Sequence, residues 1–217
     1  MLKLGIIPAA GKADRFGGIA KELLVAKDGT TLLQHAVSQL SFCDLVLVIT
    51  TDDKFVIHSK ICGDCMFTQQ FGDGFINAVF TGLQIEADRY FVVMPDTVFA
   101  PSVLDIFGKD IEAGGYNYFY GYFMTRYARR FGVKIGSLWR DKPDLPDLAE
   151  PNYKAWGMFG VGRDMRDRWI ELRERDPGLD IPDLMTYSES NGRISSGKMT
   201  SYHDMASIED YKEYLCS

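Results

Sequence analysis

The chain has 217 residues and a mass of 24.5 kDa, with 46% hydrophobic and 25% charged residues, values that suit a globular protein with one sizeable core. Its formal net charge of −6 and pI near 5.1 exclude a general nucleic-acid binder, so any anionic ligand has to be held by local cations. No apolar run approaches the roughly 20 residues that span a bilayer, no signal-peptide pattern precedes the first apolar run, and a cytosolic protein without a membrane partner is expected.

The first expected element is a buried strand over residues 4–7, an uninterrupted apolar run. Pro8 stops the ladder, and Ala9, Ala10 and Gly11 leave almost no side chain at the turn, so a phosphate can approach the backbone and accept from its N–H groups. Lys12, Arg15 and Lys21 follow, and a bare turn followed by spaced cations suits a triphosphate. Neither G-x-x-x-x-G-K-[ST] nor G-x-G-x-x-G directly after the strand is present. By its residues alone the stretch is a phosphate loop or an ordinary strand–loop–helix connection with exposed cations.

Asp28-Gly29-Thr30 reads as a turn, with Thr30 or Thr31 capping a helix over 32–40. Residues 45–50, LVLVIT, form a second apolar strand, followed by a short helix over 54–60 and a short strand over 66–68. Cys62 and Cys65 have the spacing of a redox pair or half a zinc site, with His58 upstream. No second C-x-x-C follows, so a surface turn is the plainer reading. Gln69-Gln70-Phe71-Gly72-Asp73-Gly74 leads into a helical pattern at Ile76, Val79, Phe80 and Leu83, and is either a capped turn or a ligand loop. The Gln69 amide offers both a donor and an acceptor.

A third apolar strand over 90–94 stops at Pro95-Asp96-Thr97, and a carboxylate just past the C-terminal end of a parallel strand lies where open α/β sheets bind ligands. Helix is expected over 101–107. Strand alternation over 116–123 then places Tyr116, Tyr118, Tyr120 and Tyr122 on one face and Phe119 and Phe123 on the other. Such a stripe is a half-buried sheet face or a subunit contact. Arg126, Arg129 and Arg130 form a solvated turn or an electrostatic lip, and Pro143, Pro146 and Pro151 mark a loop. A strand over 155–161, helices over 163–175 and 182–187, and a turn at Asn191-Gly192 complete the pattern.

In this order the motifs resemble those of the sugar-1-phosphate nucleotidyltransferases. Their A-A-G-x-x-x-R and P-K-x-L-L-x-V are matched by Ala9, Ala10, Gly11, Arg15, Lys21, Leu23, Leu24 and Val25, with Ala13 in place of a second glycine and Ala20 in place of the proline. Gln69, Asp73, Gly74 and Asn77 match the segment that reads the nucleobase, and Asp96 matches a magnesium-binding aspartate. Phe131-Gly132-Val133-Lys134 resembles the segment where a glycine backbone meets the sugar. Asp141-Lys142-Pro143 resembles Glu-Lys-Pro, whose carboxylate holds a sugar hydroxyl and whose lysine holds the sugar phosphate. Gly157 falls on the strand after that loop, and residues 202–211 are similar to W-x-D-x-G-T-x-x-D-Y, with Asp204 as a second magnesium ligand, Ala206 for the glycine, and Ser207 as a helix cap.

The resemblance implies a three-layer α/β/α Rossmann-like nucleotidyltransferase fold with a mixed, mostly parallel central sheet and a small sugar-binding insertion. It implies a single domain over 1–217, with a nucleotide-binding half at 1–115 and a sugar-phosphate half at 116–217. The implied reaction is transfer of a nucleoside monophosphate from an NTP, with dTTP or UTP favoured, to a sugar 1-phosphate with release of pyrophosphate. Catalytic roles then fall to Arg15, Lys21, Asp96 and Lys142, nucleotide contacts also to Lys12, and Mg²⁺ to Asp96 and Asp204. Two alternatives stay open: a cytidylyltransferase acting on another phosphorylated small molecule, and a non-catalytic nucleotide or nucleotide-sugar sensor. A D-x-D of the kind glycosyltransferases use is not found at Asp96-Thr97-Val98. Oligomeric state is left open, a homo-oligomer included.

Overall fold

The computed structural model describes residues 1–12 and 20–217, so Arg15 lies outside the described residues. In chain order the elements are β1 (Lys3–Pro8), α1 (Leu32–Gln39), β2 (Leu45–Thr50), α2 (Asp52–Ile61), β3 (Met66–Gln69), α3 (Phe75–Leu83), β4 (Arg89–Val93), β5 (Thr97–Ala100), α4 (Val103–Ala113), β6 (Tyr118–Thr125), β7 (Gly132–Ile135), β8 (Leu138–Asp141), β9 (Tyr153–Gly162), α5 (Arg163–Arg175), α6 (Ile181–Asn191), β10 (Ile194–Lys198), β11 (Ser201–Asp204) and α7 (Ile208–Cys216). Two compact units result, one of Met1–Ser102 with Ser201–Ser217 and one of Val103–Thr200. Relative to the halves at 1–115 and 116–217, α4 belongs with the later unit and the C-terminal segment returns to the earlier one.

In the first unit β4, β1, β2 and β3 lie side by side, all parallel. Their apolar runs are explained by burial on both faces: Leu4, Ile6, Ile7, Val48 and Ile49 are fully enclosed. α3 packs on β1 and β2, and α2 on β2 and β3. The β1–α3 approach is close, since a methyl group at Gly82 would stand 2.8 Å from Ile6 Cδ1. A capping box closes the start of α1, Thr31 Oγ1 accepting from the Gln34 N–H and the Gln34 side chain accepting from the Thr31 N–H. β5 and β11 form a separate antiparallel pair, with Asp204 opposite Thr97. α7 starts at Ser207, which accepts from the Asp210 N–H, and Tyr211 donates its hydroxyl to the Val25 carbonyl at 2.7 Å. The Cys65 N–H closes a turn on the Cys62 carbonyl at 3.0 Å, and Cys62 and Cys65 are both thiols.

In the second unit β6 runs parallel to β10 and antiparallel to β9, and β7 pairs antiparallel with both β8 and β9. The alternation expected for the tyrosine strand holds for Tyr118, Tyr120 and Tyr122, whereas Tyr116 precedes β6 and its ring meets Phe119 at 6.4 Å. The rings of Tyr118, Tyr120 and Tyr122 follow one another at 5.6 and 6.2 Å, while Phe119 turns to the other face and meets Phe107 of α4 edge-on at 5.8 Å. Lys154 of β9 lies 3.9 Å from the Tyr122 ring centre and donates to the Tyr120 hydroxyl at 2.9 Å. Trp169 of α5 is fully enclosed against Phe159, its Nε1–H donating to Ser188 Oγ of α6 at 2.8 Å. Tyr118 and Tyr120 are buried and Tyr122 is partly exposed, so most of the stripe is core.

The expected α/β class with a mixed sheet is observed. The short strand β5 replaces a segment read as loop, because its pairing partner lies a hundred residues away in β11. Among the described residues no helix is long and apolar enough to cross a membrane.

Candidate functional site

In the first unit the chain steps outward from β1 to β2 and β3, then returns to β4 on the opposite side of β1. Where strand order reverses, the loops leaving the C-terminal ends diverge and open a crevice. A cleft of about 570 Å³ lies there, lined from β1 by Ala9, Ala10, Gly11 and Lys12 and from the end of β4 by Met94, Pro95 and Asp96. The Ala9 N–H is tied to the Ile49 carbonyl at 2.8 Å, which seats the turn against β2. A methyl group at Gly11 would meet nothing within 4 Å, so the backbone there borders open space.

Lys21 stands in a 3₁₀ turn, Lys21–Leu23, closed by Leu23 N–H to Ala20 O and Leu24 N–H to Lys21 O, each 3.0 Å. Its Nζ meets Asp96 Oδ2 at 2.8 Å, and both side chains are 15% exposed. An ion pair so enclosed is screened less by salt than one at the surface. Asp204 is brought beside Asp96 by the β5–β11 pairing: Asp204 is opposite Thr97, and the Met205 N–H donates to the Asp96 carbonyl at 3.0 Å. Burial first, then the charges of Asp204 and Asp96, hold the Tyr202 phenol well above its ordinary range, while a Thr97 hydrogen bond opposes them. The two acids thus share one neighbour. As hard oxygen donors on adjacent segments they fit Mg²⁺, which commonly takes one or two carboxylates and completes its shell with phosphate and water. No group of three or more His, Cys, Asp or Glu side chains gathers among the described residues.

The loop between β3 and α3 supplies the other wall through Gln70, Gly72, Asp73 and Gly74. Phe71 N–H donates to Thr81 Oγ1 at 3.1 Å, and Gln70 Nε2 to the Gly74 carbonyl at 2.8 Å. Asp73 reaches Lys12 at 4.0 Å, but both side chains are largely exposed, so that pair adds little stability. Gln69 and Asn77 are not among the described residues lining the cleft. The Gln69 amide donates to Asp52 instead, and the Asn77 amide to the Asp73 carbonyl at 2.6 Å. Gln70, the first residue past the end of β3, is the glutamine that lines the cleft.

Sequence reasoning also passed over Glu22 and Lys54, and weighed His58 only beside Cys62 and Cys65. Glu22 lines the cleft and is 4% exposed. One of its oxygens, Oε1, receives Lys54 Nζ at 2.8 Å and His58 Nε2 at 3.1 Å. Burial works to raise its carboxyl, and the hydrogen bonds from His58 and Lys54 outweigh it, leaving Glu22 below its ordinary range. Lys54 and His58 are four residues apart on α2, hence on one face. That spacing is the sequence signal that could have found them.

In the second unit Gly132 and Asp141 are opposite one another in the β7–β8 ladder, and the Lys142 N–H donates to the Phe131 carbonyl at 3.1 Å. Lys142 adopts φ +38°, a conformation that non-glycine residues hold only when their surroundings enforce it. Partial burial raises the Asp141 carboxyl, with Asp180 adding to the rise and Lys142 opposing it. A Cβ at Gly132 would stand 2.0 Å from Trp156 Nε1, so the space this glycine leaves is filled by an indole. Gly157 is the extra residue of a bulge in β9, between Trp156 opposite Tyr122 and Met158 opposite Gly121.

The family model of a MobA-like NTP transferase domain matches residues 5–127. Among solved structures, a protein from Bacillus anthracis described as a putative glucose-1-phosphate thymidylyltransferase, solved with sucrose, is similar over 99% of this chain and 94% of its own, at 20% identity and a TM-score of 0.81. No curated protein matches in sequence. The structural likeness confirms the expected three-layer α/β nucleotidyltransferase fold.

Proposed function

We propose that this chain, which belongs to the MobA-like NTP transferase domain family, transfers a nucleoside monophosphate from an NTP, with dTTP or UTP favoured, to a sugar 1-phosphate. Nucleotidyl transfer is the family's reaction, and the sugar acceptor is the finer step. The observation that carries the reading is the Lys21–Asp96 pair at the strand-order reversal, in a cleft also lined by the small-residue turn Ala9-Ala10-Gly11.

In this reading an acceptor phosphate oxygen attacks the α-phosphorus, the bond from that phosphorus to the bridging oxygen breaks, and pyrophosphate leaves with the electron pair. Such a step needs alignment and charge neutralisation more than a protein nucleophile. Lys21, Lys12 and Arg15 offset the triphosphate charge, and the N–H groups around Gly11 donate to it. Asp96 and Asp204 are the residues that would hold Mg²⁺, which when bound supplies further neutralisation of phosphate charge. Gln70, Asp73 and Gly74 border the base. Gly132, Asp141, Lys142 and Gly157 are assigned to the acceptor, Lys142 to its phosphate. The family match stops at residue 127, so the acceptor rests on the likeness of Asp141-Lys142-Pro143 to Glu-Lys-Pro.

A screen of pyrophosphate release, pairing each of the common NTPs with a panel of sugar 1-phosphates with and without Mg²⁺, tests the reading. Release that depends on both substrates is the expected result. Binding of NTP without release for any sugar phosphate would overturn it in favour of another acceptor or a sensor.

A further inference from the structure

We infer that Lys54 is a positioning residue for the nucleotide loop, tying the small-residue turn to the 3₁₀ turn that carries Lys21. Lys54 is not among the described residues lining the cleft, but its Nζ donates both to the Gly11 carbonyl and to Glu22 Oε1. Gly11 ends one arm of the loop and Glu22 follows Lys21 on the other, so a single ammonium group fastens both arms. The fastening is anchored in the sheet. His58, fully enclosed, joins Glu22 through Nε2 and the Thr50 hydroxyl at the end of β2 through Nδ1, at 3.1 and 2.9 Å. With Glu22 ionised, Nε2–H donates to the carboxylate, and Nδ1 shares a hydrogen bond with the Thr50 hydroxyl.

The orientation of α2 supports a functional reason for this network. Phe55, Val56 and Ile57 are 47%, 59% and 43% exposed, while Lys54 and His58 on the same helix turn inward. An amphipathic helix ordinarily does the reverse, and a buried carboxylate is costly unless it is paired. A chain that gives up apolar burial to seat a lysine, a histidine and a glutamate beneath its phosphate turn is holding that turn in one arrangement. The inference rests on nucleotidyl transfer for its kinetic effect, and its structural effect can be read without turnover.

The test compares wild type with Lys54→Met, Lys54→Arg, Glu22→Gln and the Lys54→Met/Glu22→Gln double variant. Amide hydrogen exchange is followed at Leu23 and Leu24, whose N–H groups close the Lys21 turn, with Ile6 and Ile7 of β1 as the internal reference. Lys54→Met and Glu22→Gln should each speed Leu23 and Leu24 exchange about tenfold while Ile6 and Ile7 stay unchanged. NTP binding, measured by calorimetry, should weaken about tenfold, and kcat/KM should fall about a hundredfold, as expected when charged groups are displaced by about an ångström. Lys54→Arg should restore most of each, and the double variant should be little worse than either single, because both remove one linkage. Exchange and NTP affinity unchanged in Lys54→Met and Glu22→Gln, or exchange raised equally at Ile6 and Ile7, would overturn the inference. Should Lys54→Met not fold, the near-isosteric Glu22→Gln carries the comparison alone. Should wild type release no pyrophosphate with any acceptor, the nucleotidyl-transfer reading falls while exchange and NTP binding still decide the role of Lys54.

Discussion

Lys21 Nζ and Asp96 Oδ2 meet at 2.8 Å, joining the end of the nucleotide loop to the end of β4. The contact makes Lys21 the partner of a metal-ligand candidate before any phosphate arrives. In the proposed reaction a bound triphosphate would compete for the lysine and leave the carboxylate available to a divalent ion.

Asp96→Asn and Asp204→Asn should each lower kcat by about 10²–10³, the scale of removing one preorganised electrostatic group, and raise the Mg²⁺ concentration for half-maximal rate. Pyrophosphate release across a Mg²⁺ titration measures both. The metal assignment fails if either variant keeps wild-type turnover and an unshifted Mg²⁺ midpoint.

The two adjacent glutamines have different surroundings. Gln70 lines the cleft, whereas Gln69 binds Asp52. Gln70→Leu should reduce kcat/KM for the preferred NTP about tenfold or more and narrow its lead over the other bases, the cost of leaving a base edge unpaired. Gln69→Leu should leave the ranking of bases intact. A ranking altered by Gln69→Leu and untouched by Gln70→Leu would reverse this assignment.

The first unit was legible because its signals are local. Apolar runs mark β1, β2 and β4, and Pro8 and Pro95 mark where their ladders stop. Asp96 and Lys21 could be named because each follows such a signal. Asp204 was found through the likeness of its segment to a family pattern. Gln69 was named through motif alignment, while the cleft is lined by Gln70, the residue just past the end of β3. Glu22 and Lys54 were missed, and His58 was weighed only beside Cys62 and Cys65, because α2 has an inverted face: Phe55, Val56 and Ile57 are exposed while Lys54 and His58 turn inward. Gly132 was legible as a glycine with a purpose, but the neighbour that fills its space, Trp156, is set by β7–β9 pairing.

Glu22 should leave its mark on acid stability. Its folded-state pKa lies below the ordinary 4.5, so folding favours the ionised form. The stabilisation is complete above that ordinary value and is lost as pH falls through the folded-state value. Glu22→Gln should therefore be less stable than wild type near neutrality, with the gap narrowing as pH drops from about 5 toward 3. Urea midpoints at intervals across that range give the comparison, and curves that stay parallel would remove Glu22 from the network's electrostatics.

Gly82→Ala sets two known effects against each other. Gly82 lies within α3, where alanine is favoured over glycine by about 1 kcal/mol on helix propensity alone. Its added methyl, however, would stand 2.8, 2.9 and 2.9 Å from three carbons of Ile6, a fully enclosed β-branched side chain in β1. Overpacking of this kind costs about 1–3 kcal/mol, and Ile6 has little rotamer freedom with which to yield. A net loss of up to about 2 kcal/mol should result, lowering Tm by up to roughly 8 °C for a chain of this length. Calorimetric unfolding decides it: a Gly82→Ala variant that melts at or above wild type would mean that β1 and α3 part easily enough for propensity to win.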